Sequence, residues 1–168
     1  MYQEYVYTYY METSDALVSK LAAQALQVCL CFHARKSSRA ISQLFDQILA
    51  PTGLKATQIS LLMVVAAKGP VRIGDLASSL VSDSTSVSRT IRPLVAKNLL
   101  RVGRDPSDGR IRMIHLTSEG QQLLETALPL WRDAQRKSVN KLGNPLVQAL
   151  LPALEETSLL GATDPRQK

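Results

Sequence analysis

Ser84-Thr85-Ser86-Val87-Ser88-Arg89-Thr90-Ile91-Arg92-Pro93-Leu94-Val95-Ala96-Lys97 is the stretch on which the reading of this chain turns. Val87, Ile91, Leu94 and Val95 fall at i, i+4, i+7 and i+8, the spacing of one buried helical stripe. Thr85, Arg89 and Arg92 fall at i, i+4 and i+7 on the opposite face, with Ser86 beside them and Ser88 in the same turn. That outward face carries hydroxyls and arginines and no acid. A merely solvated face more often mixes in Glu and Lys. Short hydroxyls bond phosphates or bases, and Arg can bond guanine bidentately, so the face suits a duplex groove. The helix runs from about Ser84 to Lys97, with Ser82 or Asp83 as its N-cap.

Working outward, Ile73 to Leu80 predicts a short helix with Leu76, Ala77 and Leu80 inward, and Val81-Ser82-Asp83 predicts a turn. Downstream, Leu99 to Arg104 and Ile111 to Leu116 are strand-like and are joined by Asp105-Pro106-Ser107-Asp108-Gly109-Arg110, whose Pro and Asp-Gly are turn chemistry. Short helix, turn, basic helix and basic hairpin, in that order, describe a helix-turn-helix with a two-stranded β-wing. In such an arrangement the second helix enters the major groove, while hairpin arginines (Arg104, Arg110 and Arg112) reach the backbone or the minor groove. Lys55 to Lys68 predicts another helix, and Val71-Arg72 at most a very short strand. Ser14 to Leu49 repeats apolar residues at helical spacing and closes at Pro51-Thr52-Gly53. After Thr117 come helical runs over Ser118 to Leu142 and Pro145 to Leu160, broken at Gly143-Asn144-Pro145. The expected fold class is mainly α.

The 168 residues fit one domain with additional helices, and 45% hydrophobic with 20% charged residues is ordinary globular composition. No apolar run reaches the roughly 20 residues of a membrane span, and the N-terminus lacks the pattern of a secretory leader. The net charge is +6, and the window from Ser84 to Arg112 nearly supplies it: Arg89, Arg92, Lys97, Arg101, Arg104, Arg110 and Arg112 face only Asp105 and Asp108. A second basic run carries Arg35, Lys36 and Arg39. All five tyrosines (Tyr2, Tyr5, Tyr7, Tyr9 and Tyr10) lie in the first ten residues, where Tyr5, Tyr7 and Tyr9 alternate like a strand without a partner, so a mobile or partner-wrapping tail is expected there. Cys29 and Cys31 are too close together to brace a fold and too few for structural zinc, and a reducing cytoplasm suits them. His33 and His115 lack ligand spacing, no cofactor motif is present, and no nucleophile elbow or phosphate-cradling loop appears. Asp105 and Asp108 read better as wing residues that orient Arg110 than as catalytic carboxylates. An enzyme is not expected.

These features together resemble a MarR-type winged-helix transcriptional regulator over about Cys31 to Leu124. The resemblance is carried by the wing, Asp105-Pro-Ser-Asp-Gly-Arg110-Ile-Arg112, followed by His115-Leu-Thr-Ser-Glu-Gly120. Asp75-Leu-Ala77 through Ser84-Thr-Ser-Val-Ser-Arg89, and Gly53-Leu54 with Gln58 and Leu61-Leu62, add to it. It implies a homodimer with intertwined terminal helices, a palindromic double-stranded operator, most often repression, and a small-molecule effector. The apolar excess of Leu146, Val147, Leu150, Leu151, Leu154 and Leu159-Leu160 supports self-association independently. The resulting division is an arm over 1–13, an N-terminal dimerisation helix over 14–54, a DNA-binding lobe over 55–117, C-terminal dimerisation helices over 118–160 and a tail over 161–168. Phe32, Phe45, Met63 and Trp131 are candidates to line an effector cleft. Cys29 and Cys31 are the candidates for a redox sensor: Cys31-Phe32 resembles the reactive Cys-Phe of the hydroperoxide-sensing branch, although Arg35, Phe45 and Ala56 stand where that branch has tyrosines. Within one continuous helix Cys29 and Cys31 would point about 200° apart, so Cys31 would need another thiol partner. The alternative is a winged-helix protein-interaction module that never touches DNA; such a module would favour apolar residues where Arg89 and Arg92 stand.

Overall fold

In the computed structural model, which describes the backbone of residues 2–161 and the side chains of residues 15–160, the first long helix is two helices, α1 (Tyr2–Val28) and α2 (Leu30–Leu49). Cys29 is the joint. Its carbonyl accepts the His33 N–H at 3.1 Å, its Sγ accepts the Phe32 N–H at 3.4 Å, and the His33 ring Nε2 lies 3.2 Å from the Gln27 carbonyl. Donors opening α2 and a carbonyl closing α1 are thus satisfied locally, which is what a helix break requires. The tyrosine segment belongs to the first turns of α1 rather than to a strand. An isolated strand has no ladder to satisfy its backbone, whereas a helix supplies its own bonds. The tyrosine side chains, Met1 and the tail after Gly161 lie outside the described residues.

A 3-10 turn (Ala50–Thr52) follows, closed by Gly53 in the left-handed region (φ +67°). Helix α3 (Ala56–Lys68) starts where Asp46 Oδ1 accepts the Ala56 N–H at 2.7 Å and Gln58 Oε1 accepts the Lys55 N–H at 3.0 Å. Then come β1 (Val71–Arg72), α4 (Ile73–Ser79), α5 (Ser84–Ala96), β2 (Leu100–Arg104), β3 (Arg112–Leu116), α6 (Ser118–Leu142), α7 (Asn144–Ser158) and a 3-10 turn (Leu159–Gly161). The expected two-stranded wing is a three-stranded antiparallel sheet in the order β1-β3-β2. Val71 lies opposite Ile114 on one side of β3, and Val102 lies opposite Ile114 on the other. The short β1 takes up the second edge of β3, and Ile114, the shared central residue, is fully buried.

The chain divides into two units, Met1–Ile41 and Ser42–Lys168. The hydrophobic core belongs to the second, where Leu49, Ile59, Leu62, Leu76, Leu94 and Leu100 are among its fully buried side chains. The predicted inner stripe of α5 is realised: Val87, Ile91 and Leu94 are buried and Val95 packs half-buried against them. Helix α7 is different. It buries Val147 but leaves Leu146, Leu151 and Leu154 about half exposed. No single described helix is long and apolar enough to cross a membrane.

Candidate nucleic-acid interface

The candidate interface is built on the two ends of α5 and on the wing. Asp83 caps α5: its Oδ1 accepts the Ser86 N–H at 2.8 Å and its Oδ2 the Ser86 hydroxyl at 2.6 Å. Those bonds hold the Asp83 carboxyl below its ordinary pKa, the Ser86 hydroxyl contributing most. At the other end Asn98 takes φ +55°, the Asn98 N–H reaches the Val95 carbonyl at 2.9 Å, and the Leu99 N–H reaches the Leu94 carbonyl at 2.9 Å. This is a Schellman closure with asparagine in the left-handed position. Lys97 Nζ then bonds the Gly53 carbonyl at 3.0 Å, fastening the end of α5 to the turn before α3.

On the outward face Thr85, Arg89 and Arg92 are exposed, as the helical spacing predicts. The serines are not equivalent to them. Ser86 and Ser88 are half-buried; Ser86 serves the cap, and the Ser88 hydroxyl donates to the Ser84 carbonyl at 2.7 Å. Their hydroxyls therefore serve the helix first, and any contact to DNA would use the remaining lone pairs. On the wing, Arg104, Arg110 and Arg112 are all exposed and border one cleft with Gly103 and Gly109. Three guanidiniums around one concavity make a local excess of positive charge.

The wing aspartates do something other than orient the Arg110 guanidinium. Asp105 lies 3.6 Å from the guanidinium of Arg72 and accepts the N–H and hydroxyl of Ser107 and the N–H of Asp108. The Ser107 bonds above all hold its carboxyl below the usual range. Asp108 Oδ1 accepts the backbone N–H of Arg110 at 3.0 Å. The pair therefore shapes the turn and ties the wing to the start of α4, and it touches Arg110 only through the main chain.

Arg72 is the residue that linear reading missed. Its partner lies in a distant stretch of chain, and no local pattern marks it. Cys29 serves as the joint of α1 and α2, so the expected divergence of Cys29 and Cys31 on one continuous helix does not apply; Cys31 is exposed on α2. Phe45, Met63 and Trp131 pack half-buried against the core, and Phe32 is exposed in the first unit, its ring edge-on to His33. Among the described residues no group of three His, Cys, Asp or Glu side chains is placed to hold a metal ion.

Helix-turn-helix, third strand and basic hairpin together define a winged-helix fold. Residues 52–111 match the MarR family model. YxaD, described as an uncharacterized HTH-type transcriptional regulator of Bacillus subtilis, is 38% identical over 81 residues, covering 48% of this chain and 57% of YxaD; the chain spans about half the length of several such curated relatives. NicR, an HTH-type transcriptional repressor of Pseudomonas putida, is 25% identical over 108 residues, 64% of this chain and 68% of NicR. Among solved structures, the Mycobacterium tuberculosis transcriptional regulator MosR in complex with DNA superposes with a TM-score of 0.69 at 29% identity, covering 80% of this chain and 99% of that one. The chain is thus similar to the MarR family across its winged-helix segment, and these relatives are described as transcriptional regulators.

Proposed function

We propose that this chain is a cytoplasmic transcriptional repressor that binds a palindromic operator in double-stranded DNA as a homodimer and is released by a small-molecule ligand or by oxidation of Cys31. The observation that carries the reading is the face of α5: Thr85, Arg89 and Arg92 are exposed together, with no acidic residue in the helix to neutralise them. In this proposal α5 enters the major groove, with Arg89 reading a base edge and Thr85, Ser86, Ser88 and Arg92 supporting it, while Arg104, Arg110 and Arg112 grip the flanking backbone. The likeness to NicR, a transcriptional repressor, and to MosR, solved in complex with DNA, supports the same direction. Each protomer offers one such helix, and a two-fold dimer presents two of them to half-sites about one helical turn apart.

Arg89→Ala should cost about 1–3 kcal/mol on a selected operator and relax sequence preference at one position. Arg110→Ala should weaken binding to most sequences alike and lower the slope of log K against log salt by about one. The measurement is a titration of selected and scrambled duplexes at several salt concentrations. Equal operator affinity of the wild type and an Arg89→Ala, Arg110→Ala double variant would refute the assignment. For the redox arm, peroxide should abolish operator binding by the wild type and spare Cys31→Ser; unchanged wild-type affinity with Cys31 still reduced by mass spectrometry would remove oxidation as the signal.

A further inference from the structure

The tip of the wing carries Asp108-Gly109, the one Asp-Gly pair in the chain. Such a bond is a chemical weak point. The glycine has no side chain to shield its nitrogen, which is free to close on the aspartate carboxyl as a five-membered ring. Whether an aspartate reacts in this way depends on what the fold does with the N–H that follows it. Asp15, Asp46, Asp75 and Asp133 lie inside helices, where hydrogen bonds hold the backbone and the next residue carries a side chain. Asp83 commits both oxygens to Ser86 as the cap of α5, and Asp105 precedes Pro106, which has no N–H. Among the described residues, Asp108 is the aspartate at which the fold leaves the step open.

The local geometry favours closure. Asp108 and Gly109 lie between β2 and β3, outside both strands, and both are exposed. Asp108 Oδ1 accepts the Arg110 N–H at 3.0 Å, so the carboxyl is folded forward along the Gly109 peptide that it has to meet. The backbone bonds of this turn run from the Asp105 N–H to the Ile111 carbonyl and from the Ile111 N–H to the Asp108 carbonyl. They pass Gly109 by, and its N–H has no partner among the described residues. A Cβ built on Gly109 meets nothing within 4 Å, so no neighbouring group blocks the backbone as it puckers into a ring.

We propose that Asp108-Gly109 is a modification site at which the wing rearranges its own backbone to an isoaspartyl linkage. With Asp108 in its acid form, the Gly109 nitrogen bonds to the Asp108 Cγ, and the N–H hydrogen leaves with the carboxyl hydroxyl as one water. The product is a succinimide. Water then adds to one ring carbonyl. Opening at Cγ restores aspartate, whereas opening at the former main-chain carbonyl leaves the chain running through Cγ, one methylene longer, with that carbonyl now a free carboxylate. No oxidant or reductant enters, and the net charge is unchanged. The Asp108 carbonyl that holds the Ile111 N–H at 2.9 Å is the group converted, and Oδ1 becomes part of the new peptide, so the turn loses both of its closing bonds as they stand. Arg110 is then displaced from the cleft that it borders with Arg104 and Arg112. The resulting loss of DNA affinity rests on the DNA-binding reading above; the rearrangement itself does not.

The test uses the full chain, kept at neutral pH and physiological temperature and sampled over weeks. An isoaspartyl methyltransferase, with radiolabelled S-adenosylmethionine as methyl donor, labels each free carboxylate that the rearrangement exposes. Mass spectrometry of the tryptic peptide 105–110, released by cleavage after Arg104 and Arg110, locates the label and detects the intermediate as a species lighter by one water. Label on that peptide should rise with time in the wild type and rise several-fold more slowly in Gly109→Val, whose branched side chain crowds the attacking nitrogen. It should be absent in Asp108→Glu, which keeps the charge but needs a larger ring. A wild type that gains no more label there than Asp108→Glu, or a Gly109→Val variant that gains it as fast as the wild type, would overturn the proposal. Duplex titrations of fresh, aged and enzymatically repaired samples keep the two readings apart. Loss of affinity should follow the label and be reversed by repair; a chain that gains label but binds no duplex even when fresh retains the site and loses the DNA assignment.

Discussion

Gly120 has no room for a side chain. A Cβ at this position would run into the Leu99 carbonyl oxygen and the Leu116 Cδ1. The crowding comes from Thr117, which caps α6 by accepting the Gly120 N–H at 3.0 Å, donates its hydroxyl to the Asn98 carbonyl at 2.6 Å, and donates its backbone N–H to the Leu99 carbonyl at 3.2 Å. The first turn of α6 is thereby seated on the chain that leaves α5. Gly120→Ala should destabilise the lobe by about 1–3 kcal/mol through overpacking, read as a lower denaturant midpoint. Gly109→Ala, at the wing tip with nothing within 4 Å of its Cβ, is the control and should stay within about 0.5 kcal/mol of wild type. An unchanged midpoint for Gly120→Ala would mean that α6 is not seated as described. The pattern Leu116-Thr117-x-x-Gly120 is visible in the sequence as a family resemblance. Its cause is not, because the carbonyl that excludes a side chain belongs to Leu99, on another element.

The turn between α4 and α5 carries a conformational cost. The Ser82 N–H bonds the Ala77 carbonyl at 2.9 Å, and the Val81 N–H bonds the Ser78 carbonyl at 3.2 Å, a Schellman closure that places Val81 at φ +47°. Glycine or asparagine normally takes this position, since a Cβ in the left-handed region costs roughly 1–2 kcal/mol and β-branching adds to the strain. Val81→Gly should therefore stabilise the protein, by up to about 1 kcal/mol after the larger chain entropy of glycine in the unfolded state is subtracted. Thermal unfolding checks the sign; a lower melting temperature would mean that the half-exposed valine makes contacts worth more than its strain. The residues Val81-Ser82-Asp83 signal a turn from sequence alone, and Asp83 signals the cap. The strain appears only when the hydrogen bonds fix which residue occupies the left-handed position.

The second unit carries its own core and leaves an apolar face on α7, with Leu151 at 57% and Leu154 at 45% exposure. Under the dimer proposal that face is covered by a second copy. Leu151→Glu with Leu154→Glu should then shift the protein to monomer in sedimentation, leave the helical signal of the lobe intact and weaken operator binding steeply, because two half-sites would no longer be held by one body. A wild type that sediments as a monomer at micromolar concentration, or a double variant that associates as the wild type does, would refute the role given to α7.

Local pattern determined much of this protein. The stripe Val87, Ile91, Leu94 and Val95 predicts α5 within a residue, since burial at helical period is a property of adjacent turns. The turn chemistry of Asp105 to Arg110 likewise predicts the hairpin, and the outward position of Thr85, Arg89 and Arg92 follows from the same periodicity. Tertiary structure decided the remainder. The sequence allows Val71-Arg72 as a very short strand but gives it no partner; it pairs as the third strand because β3 has a free edge and Val71 can cover Ile114. The break at Cys29 depends on a histidine and a thiol that happen to satisfy the ends of two helices. Asp105 meets Arg72, and Arg101 meets His115, across segments that sequence keeps apart. Periodicity and capping act over a few residues, whereas ion pairs, sheet edges and close approaches join residues that only the folded chain brings within a few ångströms of each other.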